Sequence, residues 1–248
     1  MTAVLSLTSP PLTDRLGEAA PAARAAAFSA RVADAGATDV LRAAFEEFKG
    51  RIALVSSFGA ESASLLHLVA SVDAATPVIF LDTGKHFAQT LAYRRTLAET
   101  LGLKNVLDVQ PAEGDLRAGD PDGKLWSTDP DACCALRKVR PLHSALAGFD
   151  AWISGRKQFQ SAGRARLPKV ELAPPHSKIN PIAEWSREDV AAYAVKHELP
   201  AHPLVADGYP SIGCWPCTAP SDDPSDPRAG RWTGRAKTEC GIHLRAVT

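Results

Sequence analysis

Apolar positions along the chain fall into two recurring patterns, short unbroken runs and longer stretches with helical spacing. The runs at 52–55 and 78–81 have the length and apolar content of strands, and a third strand is predicted over 106–109. After the first run, Leu65, Leu66, Leu68 and Val69 return on a helical period, and a second helix is predicted over 91–101. Ahead of these lies an alanine-rich helical arm over 19–35. A further helix is expected with Thr38 as N-cap and Val40, Leu41, Ala44, Phe45 and Phe48 on one face. Later positions predict a loop over 111–130, a helix over 133–146, a strand over 152–154 and a basic loop over 155–168. Ser186 opens another helix, with Asp189 as a capping-box partner where Glu or Gln is usual. From residue 200 onward proline and glycine are too frequent for regular structure.

Alternating strand and helix predict one α/β domain whose twisted sheet is mostly parallel and flanked by helices. The expected organisation is a helical arm at 1–49, the α/β domain at 50–199 and an irregular C-terminal segment at 200–248.

Lys plus Arg and Asp plus Glu balance at 28 each, so no global positive field draws nucleic acid. An anionic ligand must therefore meet a local cationic cluster. Residues 1–20 lack a basic segment followed by a long apolar run, and no stretch approaches the ~20 apolar residues of a membrane span. The chain is expected to be cytoplasmic, away from membranes, and the sequence leaves a homo-oligomer open.

In a parallel sheet, ligands bind beyond the carboxyl ends of the strands, where helix N-termini offer unpaired N–H groups to anions. The loop Ser56-Ser57-Phe58-Gly59-Ala60-Glu61-Ser62 lies at such an edge, and Asp82-Thr83-Gly84 ends the next strand. Small-residue turns are common there, and no Walker lysine is present, so a nucleotide site and an ordinary connection remain alternatives.

Five cysteines are too few for a disulfide scaffold in a chain this long. The spacing Cys214-Trp215-Pro216-Cys217 lets two thiolates face one metal, and Cys133-Cys134 supplies two more. Zinc and an iron-sulfur cluster are equally served by this spacing. Buried free thiols and a thioredoxin-like redox pair are the other readings. Cys240 has no partner left, and Arg228, Arg231, Arg235, Lys237 and His243 nearby would stabilise a thiolate and an anionic group together. The alternative is an inert thiol on a solvated basic tail.

These motifs, together with Cys133-Cys134-x-x-Arg137-Lys138, Gly230-Arg231-Trp232 and Glu239-Cys240-Gly241-Ile242-His243, run in order from residue 50 to the C-terminus. In this the chain resembles the assimilatory adenylylsulfate (APS) reductases, close relatives of the phosphoadenylylsulfate (PAPS) reductases. The resemblance implies an adenine nucleotide alpha hydrolase-like fold and thioredoxin-dependent reduction of APS to sulfite and AMP. It implies a [4Fe-4S] cluster on Cys133, Cys134, Cys214 and Cys217. APS would be held by Ser56, Ser57, Phe58, Gly59, Glu61 and Ser62, by Asp82, Thr83 and Gly84, and by Gly155. Lys138 would help neutralise the phosphosulfate near the cluster, and Arg228, Arg231 and His243 would grip its sulfate end. Cys240 would be the nucleophile, carrying an S-sulfonate on a mobile, poorly packed tail until thioredoxin or a similar dithiol releases sulfite.

Two segments depart from the family pattern: His86-Phe87-Ala88-Gln89-Thr90, and Gly155-Arg156-Lys157-Gln158-Phe159-Gln160-Ser161. In the latter region Arg164 is expected as a phosphate or sulfate contact. The lone histidines His67 and His176 are expected to be structural. The rivals are a PAPS or dual-substrate reductase, an ATP-pyrophosphatase-like ligase or tRNA-thiolating enzyme on the same fold, and a zinc-stapled binding module with Cys240 idle.

Overall fold

The computed structural model describes residues 21–223 and 225–243; the first two positions of the arm expected over 19–35 lie outside the described residues. Six strands form one sheet: β1 Ile52–Val55, β2 Val78–Leu81, β3 Val106–Val109, β4 Ala151–Ile153, β5 Val170–Ala173 and β6 His176–Ile179. Their spatial order is β3-β2-β1-β4-β6-β5. All neighbours run parallel except β5, which pairs antiparallel with β6.

Successive strand residues point to opposite faces, and both faces are covered. Leu54, Val78 and Phe80 enter one core with Phe28, Leu41 and Leu66, whereas Ala53, Ile79 and Leu81 enter a second with Leu142, Leu146 and Trp152. This two-sided burial is why β1 and β2 are unbroken apolar runs.

The helices are α1 Pro21–Arg31, α2 Ala37–Glu47, α3 Ser62–Asp73, α4 Ala88–Thr100, α5 Glu113–Gly119, α6 Leu125–Thr128, α7 Pro130–Cys134, α8 Arg140–Ala145 and α9 Arg187–Lys196. A π-helical turn, Ala135–Val139, joins α7 to α8. The Ser186–Asp189 capping box forms at α9 as expected.

The structure corrects several expectations. Thr38 lies inside α2, which starts from an extended Gly36 with no side-chain cap. The segment 111–130 holds two short helices, α5 and α6, neither with a side-chain N-cap; Asp120 between them accepts from the Leu125 N–H at 2.8 Å. Strands β5 and β6 were not expected, since His176-Ser177-Lys178-Ile179 carries polar side chains into the interior. The C-terminal segment is irregular but not poorly packed: Ile212, Cys214 and Trp232 are all buried.

His67 and His176 are hydrogen-bonded, to the Tyr193 hydroxyl at 2.8 Å and the Leu146 carbonyl at 3.0 Å. His202, in the tail, is more consequential. The Leu204 N–H donates to its Nδ1 at 3.2 Å, so the proton sits on Nε2, 3.0 Å from the Thr90 hydroxyl. Burial pushes its pKa down from 6.5 to about 4. Between those values the unfolded chain binds the proton and the folded chain resists it, so stability rises with pH. The urea midpoint is therefore expected to fall as pH drops from 6.5 to 4, with a shallower slope in His202→Gln. An unchanged slope in the variant would contradict this assignment.

Candidate active site

The chain steps from β1 outward to β2 and β3, then crosses back to place β4 on the other side of β1. A crevice opens where the strand order reverses, at the carboxyl ends of β1 and β4. A cavity of about 210 Å³ lies there. Ser56, Ser57, Gly59, Glu61 and Ser62 of the β1–α3 loop line it, with Gly155 beyond β4. Phe58 takes a left-handed φ of 47° and turns away from the wall into the core, edge-on to Phe80 at 5.6 Å. That inversion leaves the two serines facing the cavity. At Gly59 a Cβ would stand 3.2 Å from the Ile212 carbonyl, so the tail lies directly across this loop.

The opposite wall comes from the tail and the π turn. Arg228, Arg231, Cys240 and His243 line the cavity together with Lys138. His243 stacks on Trp152, with ring centroids 5.9 Å apart and planes 11° from parallel. Burial, and then the charges of Lys178, Arg156, Arg164 and Arg228, hold its imidazole neutral, well below the ordinary histidine pKa. Arg164 also lines the cavity, but its guanidinium is paired with Glu239 and Gln160.

Asp82, Thr83 and Gly84 are not on this wall. Thr83 meets a cysteine instead, its hydroxyl 3.3 Å from Cys214 Sγ, while Asp82 accepts from the Gly84 N–H and Gln110. A bridge between His86 and Cys214, and a hydrogen bond from the Trp215 N–H to the Lys85 carbonyl at 2.9 Å, pin the tail beside β2. Cys133, Cys134, Cys214 and Cys217 thereby line one second, small cavity. Lys138, Arg231 and Trp232 line both cavities and form the partition between them.

Electrostatics follow from that partition. Burial opposes the Lys138 charge, but the Cys214, Cys240 and Cys134 sulfurs outweigh it and raise its pKa above the ordinary lysine value. Burial likewise pushes the Cys214 thiol up, and Lys138, the Thr83 hydrogen bond and Arg231 reverse it to a net depression. Cys134 is pushed up to about 11, burial being the largest cause. Among the described residues no three His, Cys, Asp or Glu side chains stand in metal-ligating geometry, and all five cysteines are free thiols. The donor set nonetheless fits a thiolate-held centre, because four sulfurs from two segments meet at one buried cavity beside buried cations.

Residues 51–220 match the model of the phosphoadenosine phosphosulfate reductase domain. The chain belongs to that family. It is 48% identical to a Mesorhizobium japonicum protein named adenosine 5'-phosphosulfate reductase, across 97% of this chain and 96% of the relative. A protein of that name from a Chelativorans species is 50% identical across 87% and 89% of the two chains. Among solved structures, a phosphoadenylyl-sulfate reductase from Candida auris in a phosphate complex superposes with TM-score 0.67 at 27% identity. That match covers 79% of this chain and 96% of the reductase. An FMN adenylyltransferase from Candida glabrata shares the fold alone, with TM-score 0.55 at 14% identity over 82% and 75% of the two chains.

Sequence reasoning gave no role to three further buried cations, of which Arg156 and Lys157 line the reductase cavity. Lys157 is buried with Nζ 3.0 Å from Glu61, and Arg156 pairs with Glu171. Lys178 lies over Trp152 at 4.6 Å, and burial, followed by Arg156, drives its pKa down to about 7. The basic loop announced the first two; Lys178 sits in an unforeseen strand and left no signal.

Arg137 anchors the π turn: it donates to Asp120 Oδ2 at 2.9 and 2.5 Å and to the Thr83 carbonyl at 2.8 Å. Both partners of this ion pair are buried. Asp120→Ala strands the guanidinium and is expected to cost about 3–5 kcal/mol in urea unfolding. A loss under about 1 kcal/mol would show that the pair does not anchor the turn.

Proposed function

We propose that the chain catalyses the thioredoxin-dependent reduction of adenosine 5'-phosphosulfate to sulfite and AMP through an S-sulfonated Cys240. The reading rests on one observation: Cys240, Lys138, Arg228 and Arg231 line the same cavity as the β1–α3 loop at the sheet's switch point. The loop and the start of α3 suit the nucleotide phosphate. The cations suit the sulfonyl group, and neutral His243 adds a polar ring beside Cys240.

In the first step the Cys240 thiolate attacks the phosphosulfate sulfur. A sulfur–sulfur bond forms, the sulfur–oxygen bond breaks, and AMP leaves with that electron pair. Lys138 and Arg231 screen the charge that develops on the sulfonyl oxygens and the leaving phosphate. In the second step a thiolate of the dithiol donor attacks Cys240 Sγ and expels sulfite. The donor's second thiol resolves the mixed disulfide, so the donor is oxidised and Cys240 returns as a thiol.

Cys133, Cys134, Cys214 and Cys217 would hold a [4Fe-4S] cluster, which supplies a redox-active, negatively charged centre on the far side of Lys138 and Arg231. Thiol-based turnover suits the cytoplasm. The names of the relatives at 48% and 50% identity favour APS over PAPS as substrate.

Sulfite release from APS and from PAPS, with thioredoxin as reductant, tests this in anaerobically purified protein. The expected result is activity on APS that vanishes in Cys240→Ser, while about four irons and matching acid-labile sulfide remain in both. Iron-loaded protein that releases no sulfite from either nucleotide would overturn the reductase reading, and zinc without iron would overturn the cluster.

A further inference from the structure

Every nitrogen of the Arg164 guanidinium already has an acceptor inside the protein. Nε and Nη2 meet the two carboxylate oxygens of Glu239 at 2.7 and 2.8 Å, and Nη1 donates to Gln160. Arg228 adds a second hold, donating to the Thr238 carbonyl at 2.8 Å and to Glu239 at 3.4 Å. Glu239, adjacent to Cys240, is thus clasped by two arginines, with the Arg164 side chain only 7% exposed.

The residues after Cys240 are seated as closely. Gly241 has a φ of 85°, and a Cβ there would lie 3.2 Å from Val139 of the π turn. Ile242 packs against the core that contains Leu81 and Trp152, and His243 stacks on Trp152. The polar clasp is the one contact of this group that depends on charge.

We infer that Glu239 is a positioning residue, and that its bidentate pair with Arg164 seats the tail so that Cys240 faces the cavity. The inference rests on the reading of Cys240 as nucleophile. It reassigns Arg164 from a substrate contact to a docking post and leaves Lys138 and Arg231 to meet the substrate's anionic groups. The contrary arrangement is a Glu239 carboxylate that stands in for the substrate anion and is displaced by it. Displacement would put an unpaired carboxylate beside the incoming phosphosulfate and release Cys240 at the moment it must attack. A clasp that stays closed through the first step avoids both.

Two readouts on the full-length protein separate these arrangements. The first is single-turnover S-sulfonation of Cys240 at saturating APS, followed by intact mass. The second is alkylation of Cys240 by iodoacetamide without nucleotide, located by peptide mass mapping. In Glu239→Gln, sulfonation is expected to slow by about ten-fold and alkylation to quicken by a similar factor, as the seated population falls. Sulfite release from protein already sulfonated should not slow, because that step needs the tail accessible. Arg164→Gln, which removes the bidentate partner from the other side, should change both rates in the same directions, and adding it to Glu239→Gln should change them by less than the two single effects combined.

Unchanged alkylation with equal or faster sulfonation in Glu239→Gln would identify a displaceable stand-in and overturn the clasp, as would fully additive effects of Arg164→Gln and Glu239→Gln. If wild-type Cys240 is never sulfonated, the nucleophile reading fails, while the alkylation arm still reports on the clasp.

Discussion

Buried positive charge governs this site. Lys138 and Arg231 stand between two cavities, out of water, and a buried cation persists only where anions or oriented dipoles offset its lost hydration. The sulfur atoms on one side and Cys240 on the other provide that offset. The partition therefore couples the two cavities: a change in charge on one side alters how strongly the same cations act on the other. The π turn makes this possible by shifting the helix so that Arg137 reaches Asp120 and Thr83 while Lys138 reaches the partition.

The rest of the fold serves to bring distant segments to that partition. The sheet's reversal between β1 and β4 supplies the crevice, α3 directs its N-terminus toward it, and the tail returns across both. Two glycines show how tightly the tail fits. A Cβ at Gly230 would stand 2.1 Å from the Ala219 carbonyl, and one at Gly213 would collide with the Arg231 guanidinium.

Much of this was legible in the chain. Strands β1 and β2 were readable because burial on both faces demands unbroken apolar residues, and β3, an edge strand with Asp108 in it and no buried residue, by its place after a helix. The cysteine pairs were readable as sulfurs able to share one centre, and the four do line one small cavity, though their spacing alone left several uses open. β6 was not, because His176 and Lys178 are buried through hydrogen bonding and stacking on Trp152 rather than through hydrophobicity. Asp82, Thr83 and Gly84 end a strand as expected, yet they do not line the large cavity, and Thr83 meets Cys214. A strand end shows that a residue lies at the functional edge, but which neighbour it meets depends on where the tail returns. Phe58 lies within the correct loop and points the other way, since its left-handed backbone conformation is invisible in composition.

The contact between Thr83 and Cys214 joins residues 131 positions apart. Contacts of such separation close only after the intervening chain has condensed, so the sheet can assemble while its functional edge is still open. During synthesis, a nascent chain that has not reached residue 214 can form the strands and expose two thiols, but it has neither partition nor second cysteine pair. The edge acquires its chemistry late, when residues 214–243 are laid across a scaffold already in place.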